Sequence, residues 1–222
     1  MKQTPVHEIH NPDLLSMLPR DSKRLIEVGC SSGALAREYK IINSNCVYTG
    51  VEIEFEYAKL AERYCDAVLN LDIEAADDKF YQSRSGEDCW IFGDTLEHLR
   101  DPWLILSKIR SVIPTNGCVI ACIPNAQNWS IQAVLNAGDF RYEDSGLLDR
   151  THLRWFTRKT IMEMFMSTGF QVSNIIPRIF NDPNSAKILP VIRQMATTIG
   201  VDPEMAVSDA MPLQYVIKAI PN

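Results

Sequence analysis

The chain has 222 residues, 46% hydrophobic and 23% charged, and its 22 Lys+Arg against 28 Asp+Glu leave a net charge of −6. That is the composition of a globular domain with a sizeable core, and it excludes a disordered, collagen-like or coiled-coil chain. The acidic balance argues against non-specific binding of a long nucleic acid, which draws on a basic face. No apolar run reaches the ~18–20 residues of a membrane span, and the opening residues Met1 to His10 lack the apolar centre of a secretion signal. The six cysteines (Cys30, Cys46, Cys65, Cys89, Cys118 and Cys122) form no C-x-x-C pair and mostly sit in apolar runs. Reduced, buried thiols and a cytoplasmic location are therefore expected, rather than a disulfide frame or a zinc finger.

Asn11-Pro12-Asp13 carries the signature of a helix start, with Asn as N-cap and Pro at the first helical position; the helix is predicted to end near Pro19. Strands are predicted at 24–28, 46–51, 67–71, 89–92 and 117–123, with helices at 34–42, 56–64 and 101–113 between them. Near-continuous apolar strands alternating with helices predict a mostly parallel sheet covered on both faces, a Rossmann-like α/β unit. Residues 126–156 break the rhythm with aromatics and mixed charge, among them Trp129, Phe140, Arg141, Tyr142, Asp149, Arg150, His152, Arg154, Trp155 and Phe156. They are read as a lid over the carboxyl edge of the sheet. A helix capped by Thr157 and stopped by Gly169 follows, then a strand at 170–176. Helices near 186–198 and 203–210 precede a last strand at 213–220, expected as an antiparallel edge. The whole is a single domain, with a ligand-binding half at 10–125, the lid at 126–156, and a C-terminal portion at 157–222.

Ligands of such a sheet lie outside the carboxyl ends of its strands. The first of those ends is Glu27-Val28-Gly29-Cys30-Ser31-Ser32-Gly33. A dinucleotide fingerprint needs G-x-G-x-x-G, and counted from Gly29 the second and third glycine positions hold Ser31 and Ala34. A pyrophosphate cradle is thus poorly supported, and hydride transfer with it. The acid at Glu27 would repel a diphosphate and suits a ligand with an ammonium group. Glu52, nineteen positions beyond Gly33 at the end of the second strand, can accept both hydroxyls of a ribose. Asp72, ending the third strand, can accept from an adenine amino group. Together they describe a pocket for an adenosine with a cationic tail.

The run Leu25-Ile26-Glu27-Val28-Gly29-Cys30-Ser31-Ser32-Gly33 resembles the first motif of class I S-adenosylmethionine-dependent methyltransferases. Gly50-Val51-Glu52, Leu71-Asp72-Ile73-Glu74 and Asp94-Thr95-Leu96-Glu97-His98-Leu99 follow in the order of that family, with Ser31 where a glycine is common. The resemblance implies S-adenosylmethionine as cofactor, with Glu27 toward the methionine amino group, Glu52 toward the ribose and Asp72 toward the adenine end. It also implies cofactor contacts from Gly29, Cys30, Ser31, Gly33, Ile53, Ile73 and Asp94. Ile123-Pro124-Asn125 and the stretch from Leu147 to Thr157 are similar to the bacterial branch associated with polysaccharide and O-antigen biosynthesis, which implies sugar hydroxyls as acceptors.

A sugar hydroxyl is a poor nucleophile at neutral pH and needs a base or a metal. Asp94, Glu97 and His98 follow the fourth strand; on one turn of helix they would share a face. With His152 on the lid they resemble the ligand set of metal-dependent small-RNA 2′-O-methyltransferases, with Asp94 where that family has Glu. The expected catalytic residues are His98, His152 and Glu97; the expected metal set is Asp94, Glu97, His98 and His152 around Mg²⁺ or Mn²⁺, and a lone histidine base explains the same residues. Arg150 and Arg154 either bind an anionic group or pair with Asp149. His7 and His10 are expected at the surface or against the lid. Three alternatives stand: a methyltransferase for a quinone, polyketide or other small metabolite; a non-catalytic cofactor-binding partner subunit; and a terminal-ribose RNA methyltransferase, against which the net charge counts.

Overall fold

The computed structural model describes residues 5, 6 and 8–222, so His7 lies outside the described residues. A seven-stranded sheet organises them: β1 (Arg24–Val28), β2 (Val47–Glu52), β3 (Ala67–Asn70), β4 (Cys89–Gly93), β5 (Cys118–Pro124), β6 (Phe170–Arg178) and β7 (Gln214–Pro221), in the spatial order β3-β2-β1-β4-β5-β7-β6. The first five strands are parallel. Chain order reverses between β1 and β4, which opens a crevice at their carboxyl ends.

Strict alternation divides the apolar runs between two cores. Ile26, Val28, Trp90, Phe92, Val119, Ala121 and Ile123 face one layer. Leu25, Cys89, Ile91, Cys118, Ile120 and Cys122 face the other, where Tyr39 and Tyr48 join them. Because side chains of a strand point to opposite faces in turn, continuous apolar sequence is what a sheet covered on both sides requires. All six cysteines are free and five of them are buried.

The helices are α1 (Pro12–Met17), α2 (Ala34–Ile42), α3 (Phe55–Ala61), α4 (Asp78–Gln82), α5 (Pro102–Arg110), α6 (Trp129–Asn136), α7 (Arg158–Ser167), α8 (Ser185–Thr198) and α9 (Pro203–Ala210). The predicted N-caps act as such: Asn11 accepts from Asp13 N and Leu14 N, and Asp101 accepts from Leu104 N. Thr157 accepts from Thr160 N, and the Thr160 side chain closes a capping box.

Two helices were not expected. α4 is one short turn capped by Asp77, and α6 starts where Asn128 accepts from Ser130 N inside the segment read as lid. The antiparallel strand was expected at the edge. β7 pairs antiparallel with β5 on one side and with β6 on the other, so antiparallel pairing closes that side of the sheet, while β6 is outermost. Among the described residues no helix is long and apolar enough to cross a membrane.

Candidate active site

A cavity of about 600 Å³ opens at the carboxyl ends of β1, β2 and β4. Glu27, Glu52 and Asp72 all line it, together with Gly29, Cys30, Ser31, Ile53, Ile73, Asp94, Glu97, His98 and His152. Of the residues expected to hold cofactor or metal or to act in catalysis, Gly33 alone does not. It takes a left-handed conformation (φ +78°), and a side chain there would stand 3.1 Å from the Ala61 backbone, so it is a packing glycine between α2 and α3.

β1 carries Glu27 into the sheet's second core, where it is 5% exposed and accepts from the Tyr48 hydroxyl at 2.9 Å. Burial, with a smaller contribution from the Glu52 charge, pushes its carboxyl up to about 8 against the opposing pull of Tyr48. An acid so placed suits a cationic partner. Beyond it the chain turns through Gly29 (φ +75°), where a Cβ would lie 2.6 Å from Thr95 Oγ1. Ser31 adopts φ +48°, the conformation a glycine would take freely. Its N–H donates to Glu52 Oε2 at 2.8 Å, which offsets that cost and fixes the acid against the loop. Glu54 N donates to the other Glu52 oxygen at 2.9 Å, and burial still raises the Glu52 carboxyl.

Asp72 caps the short turn Ile73–Ala75 by accepting from Glu74 N at 2.9 Å. Half-exposed Ile53 and buried Ile73 add apolar lining. The Cys30 thiol is pushed up by its hydrogen bond with Cys65 and by burial, which makes it an inert lining group rather than a nucleophile.

Asp94 does not open the next turn of helix. It holds a left-handed φ of +54° before the turn Leu96–His98, with its N–H on Cys122 O at 3.1 Å and its Oδ1 accepting from Gln214 Nε2. Left-handed backbone in a non-glycine residue at a cavity wall is strain of the kind found at functional sites. Gln214 comes from β7, a residue that sequence reasoning missed because nothing local marks it.

Glu97, His98 and His152 do come together, their ligand-type atoms all within 4.8 Å of one another, and Asp94 is not part of that group. The His98 and His152 rings meet edge to face with centroids 4.8 Å apart, and His152 Nε2 lies 4.0 Å from Glu97 Oε1. Glu97 is 1% exposed, and among the described residues neither of its oxygens has a hydrogen-bond partner. Burial, then the Asp94 charge, raises its carboxyl well above the usual range. Burial lowers His98, while burial and then His98 push His152 down to about 4. Burial thus works against a charge on each member of the trio. One carboxylate and two imidazoles are a suitable donor set for a divalent ion. Ligands on one such ion at ~2.1 Å lie at most about 4.2 Å apart, so the trio would have to draw in to close around it.

Of the segment read as lid, residues 145–153 reach the cavity, through Ser145, Gly146, Leu147, Asp149, Thr151, His152 and Leu153. Leu153 N and Arg154 N donate to Glu97 O at 2.9 and 3.0 Å and tie this stretch to the turn that carries His98. Arg150, expected opposite Asp149 or an anion, pairs with Asp144 at 2.8 Å, and Arg154 donates to the Arg100 carbonyl. Asp149 accepts from Thr151 N and Thr151 Oγ1, and Thr151 in turn meets His98. The Asp-x-Thr spacing is a turn signal that could have pointed to this. Phe140 meets Tyr142 and Trp155 edge to face, and none of the three lines the cavity. His10 lines its mouth beside Ile9 and Asn11.

The sequence matches the methyltransferase domain family over residues 7–175. A search of curated proteins finds no match. Among solved structures, the chain is similar to a Thermotoga maritima S-adenosylmethionine-dependent methyltransferase described as a possible histamine N-methyltransferase (TM-score 0.61, 16% identity, covering 94% of this chain and 86% of that one). It is similar to a Mesorhizobium loti S-adenosylmethionine-dependent methyltransferase (TM-score 0.61, 14% identity, 94% and 96% covered). It is also similar to the magnesium protoporphyrin IX methyltransferase of Synechocystis with S-adenosylhomocysteine bound (TM-score 0.61, 11% identity, 95% and 81% covered).

Proposed function

From the premise that this chain belongs to the methyltransferase domain family and is an S-adenosylmethionine-dependent methyltransferase, we propose that it methylates a hydroxyl of a sugar or glycan precursor, with His98 as general base. The observation that carries the reading is the gathering of buried Glu97, His98 and His152 on the wall of the cavity that Glu27, Glu52 and Asp72 also line. Bound S-adenosylmethionine supplies an electrophilic methyl on a sulfonium. Glu27 compensates the positive end of that molecule, Glu52 accepts from its ribose, Asp72 takes the adenine end, and Ile53 and Ile73 supply apolar walls. Gly29 and Ser31 let the backbone pass close, and Asp94 closes the wall between cofactor and acceptor.

His98 then does the acid–base work. Its Nε2 takes the acceptor's hydroxyl proton as the oxygen bonds to the methyl carbon, so the positive charge leaving the sulfur reappears on the imidazole. No net charge is created in the site, which favours a buried location. The segment 145–153 adds Ser145 to the lining, a polar group that suits a polyhydroxyl acceptor better than an aromatic one. A second reading rests on the two unpartnered Glu97 oxygens: Glu97, His98 and His152 would hold a divalent ion such as Mg²⁺ or Mn²⁺, which polarises the hydroxyl.

The test is an acceptor panel of free sugars, nucleotide sugars, catechols and quinols with labelled cofactor, run with and without EDTA. Methyl transfer to a sugar hydroxyl that survives EDTA is the expected result. Transfer to the phenols alone would overturn the acceptor class, and loss of turnover in EDTA with recovery on added Mn²⁺ would replace the base by the ion.

A further inference from the structure

We propose that Asp149, acting through Thr151, is a positioning device that holds His98 as its Nδ1–H tautomer and keeps Nε2 bare toward the acceptor. The inference rests on the role given to His98 above, and its evidence is the direction of three hydrogen bonds.

His98 Nδ1 lies 3.2 Å from the Thr151 carbonyl and 3.0 Å from Thr151 Oγ1. A carbonyl only accepts. The hydroxyl has one proton, and it is committed to Asp149 Oδ1 at 2.6 Å. Toward His98 the hydroxyl therefore accepts as well. Two acceptors on one ring nitrogen assign the proton to Nδ1, and a neutral ring then has its lone pair on Nε2.

Asp149 is built to hold this arrangement. It is 2% exposed, and its Oδ1 also accepts from Thr151 N at 2.7 Å, so hydroxyl and carbonyl of Thr151 are fixed together. Thr151 and the His98 it serves are 53 residues apart in sequence. They are joined again where Leu153 N and Arg154 N reach Glu97 O, on the turn that carries His98. The base is therefore in its working form only while residues 149–154 are docked; with that stretch displaced, Nδ1 loses both acceptors and the tautomer is no longer specified. The same tautomer orients the ring if Nε2 serves an ion instead, as hydrogen bonds behind metal-bound histidines do.

The experiment is long-range ¹H–¹⁵N NMR of histidine-labelled protein, feasible because the chain has four histidines. The His98 signals are identified by their disappearance in His98→Ala. The expected wild-type pattern is a protonated Nδ1 and a bare Nε2. Thr151→Ser keeps both acceptors and is expected to keep that pattern. Thr151→Val keeps the shape and the carbonyl but removes the hydroxyl; a mixed tautomer and a kcat lower by about threefold to tenfold at unchanged KM are expected. A wild-type His98 protonated on Nε2 overturns the proposal, as does a Thr151→Val protein with the wild-type pattern and kcat. The spectra need no acceptor, so the relay is judged separately from the reaction: a fully active His98→Ala enzyme with an Nδ1–H His98 in wild type would sink the base and leave the relay standing.

Discussion

His98→Ala is expected to lower kcat by about 10²- to 10⁴-fold, the range over which a positioned general base accelerates proton transfer, while the Kd for S-adenosylmethionine stays near its wild-type value. The split follows from where the residue sits. His98 groups with Glu97 and His152, whereas the proposed cofactor contacts Glu27 and Glu52 line the same cavity from the ends of β1 and β2. Loss of kcat without loss of cofactor binding is the mark of an interaction made only as the reaction proceeds. Steady-state kinetics and isothermal titration of the same preparation check it, and added imidazole is expected to restore part of the rate. A variant with undiminished turnover would move the base to another residue. The proposed relay makes the same point from behind: Thr151 turns both its hydroxyl and its carbonyl to one ring nitrogen of His98, and Asp149 holds that hydroxyl in place.

Glu27→Gln is expected to weaken cofactor binding by about 10- to 100-fold, the worth of a hydrogen bond to a charged group in a buried site, and to remove most of its pH dependence. In the cofactor-free protein the Glu27 carboxyl stands at about 8 instead of the ordinary 4.5. A cationic ligand favours the ionised form, so below that pH binding must expel a proton. Affinity is then expected to rise by up to about tenfold per pH unit as pH climbs toward 8, and to level off above it. The stability of the cofactor-free protein runs the other way. Between the unfolded value and the folded one, the folded state holds the extra proton, so each pH unit upward removes up to about 1.4 kcal/mol of stability. The amide of the variant has no such proton to lose. Because the raised Glu52 and Glu97 carboxyls remain, the urea midpoint of Glu27→Gln is expected to decline less steeply between pH 5 and pH 8 than that of the wild type, and the variant to be the poorer binder. A wild-type affinity that is flat from pH 6 to 8 would show that Glu27 is already ionised before the cofactor arrives.

Much of this was legible in the letters because it is local. Caps at Asn11, Asp101 and Thr157, apolar runs such as Cys89–Phe92, and acids at strand ends each announce themselves within a few residues. The convergence of Glu27, Glu52 and Asp72 on one cavity followed from the strand order alone. What stayed hidden depends on side chains meeting across long separations. Asp94 looked like the start of a helical turn, yet its left-handed backbone points it to Gln214, 120 residues away. Asp149 looked like a partner for Arg150, and lies buried behind Thr151 instead. Gly33 read as a ligand-approach glycine, and its missing side chain makes room for Ala61. α6 was hidden by Trp129 and by the aromatics that follow the helix, which suggested a lid over the substrate although Trp129 lies outside the cavity.

The position of β7 has a bearing on how the molecule is made. It is the last of the seven strands to be synthesised, yet β6 joins the sheet only through it, and Gln214 at its start reaches the cavity wall. A nascent chain that has not yet delivered residue 214 leaves β5 with a bare flank and β6 without a neighbour. Unpaired strand flanks invite association with other chains. Chains cut short before that point are accordingly expected to be both idle and prone to clump, with competence arriving only once the ribosome has released this strand.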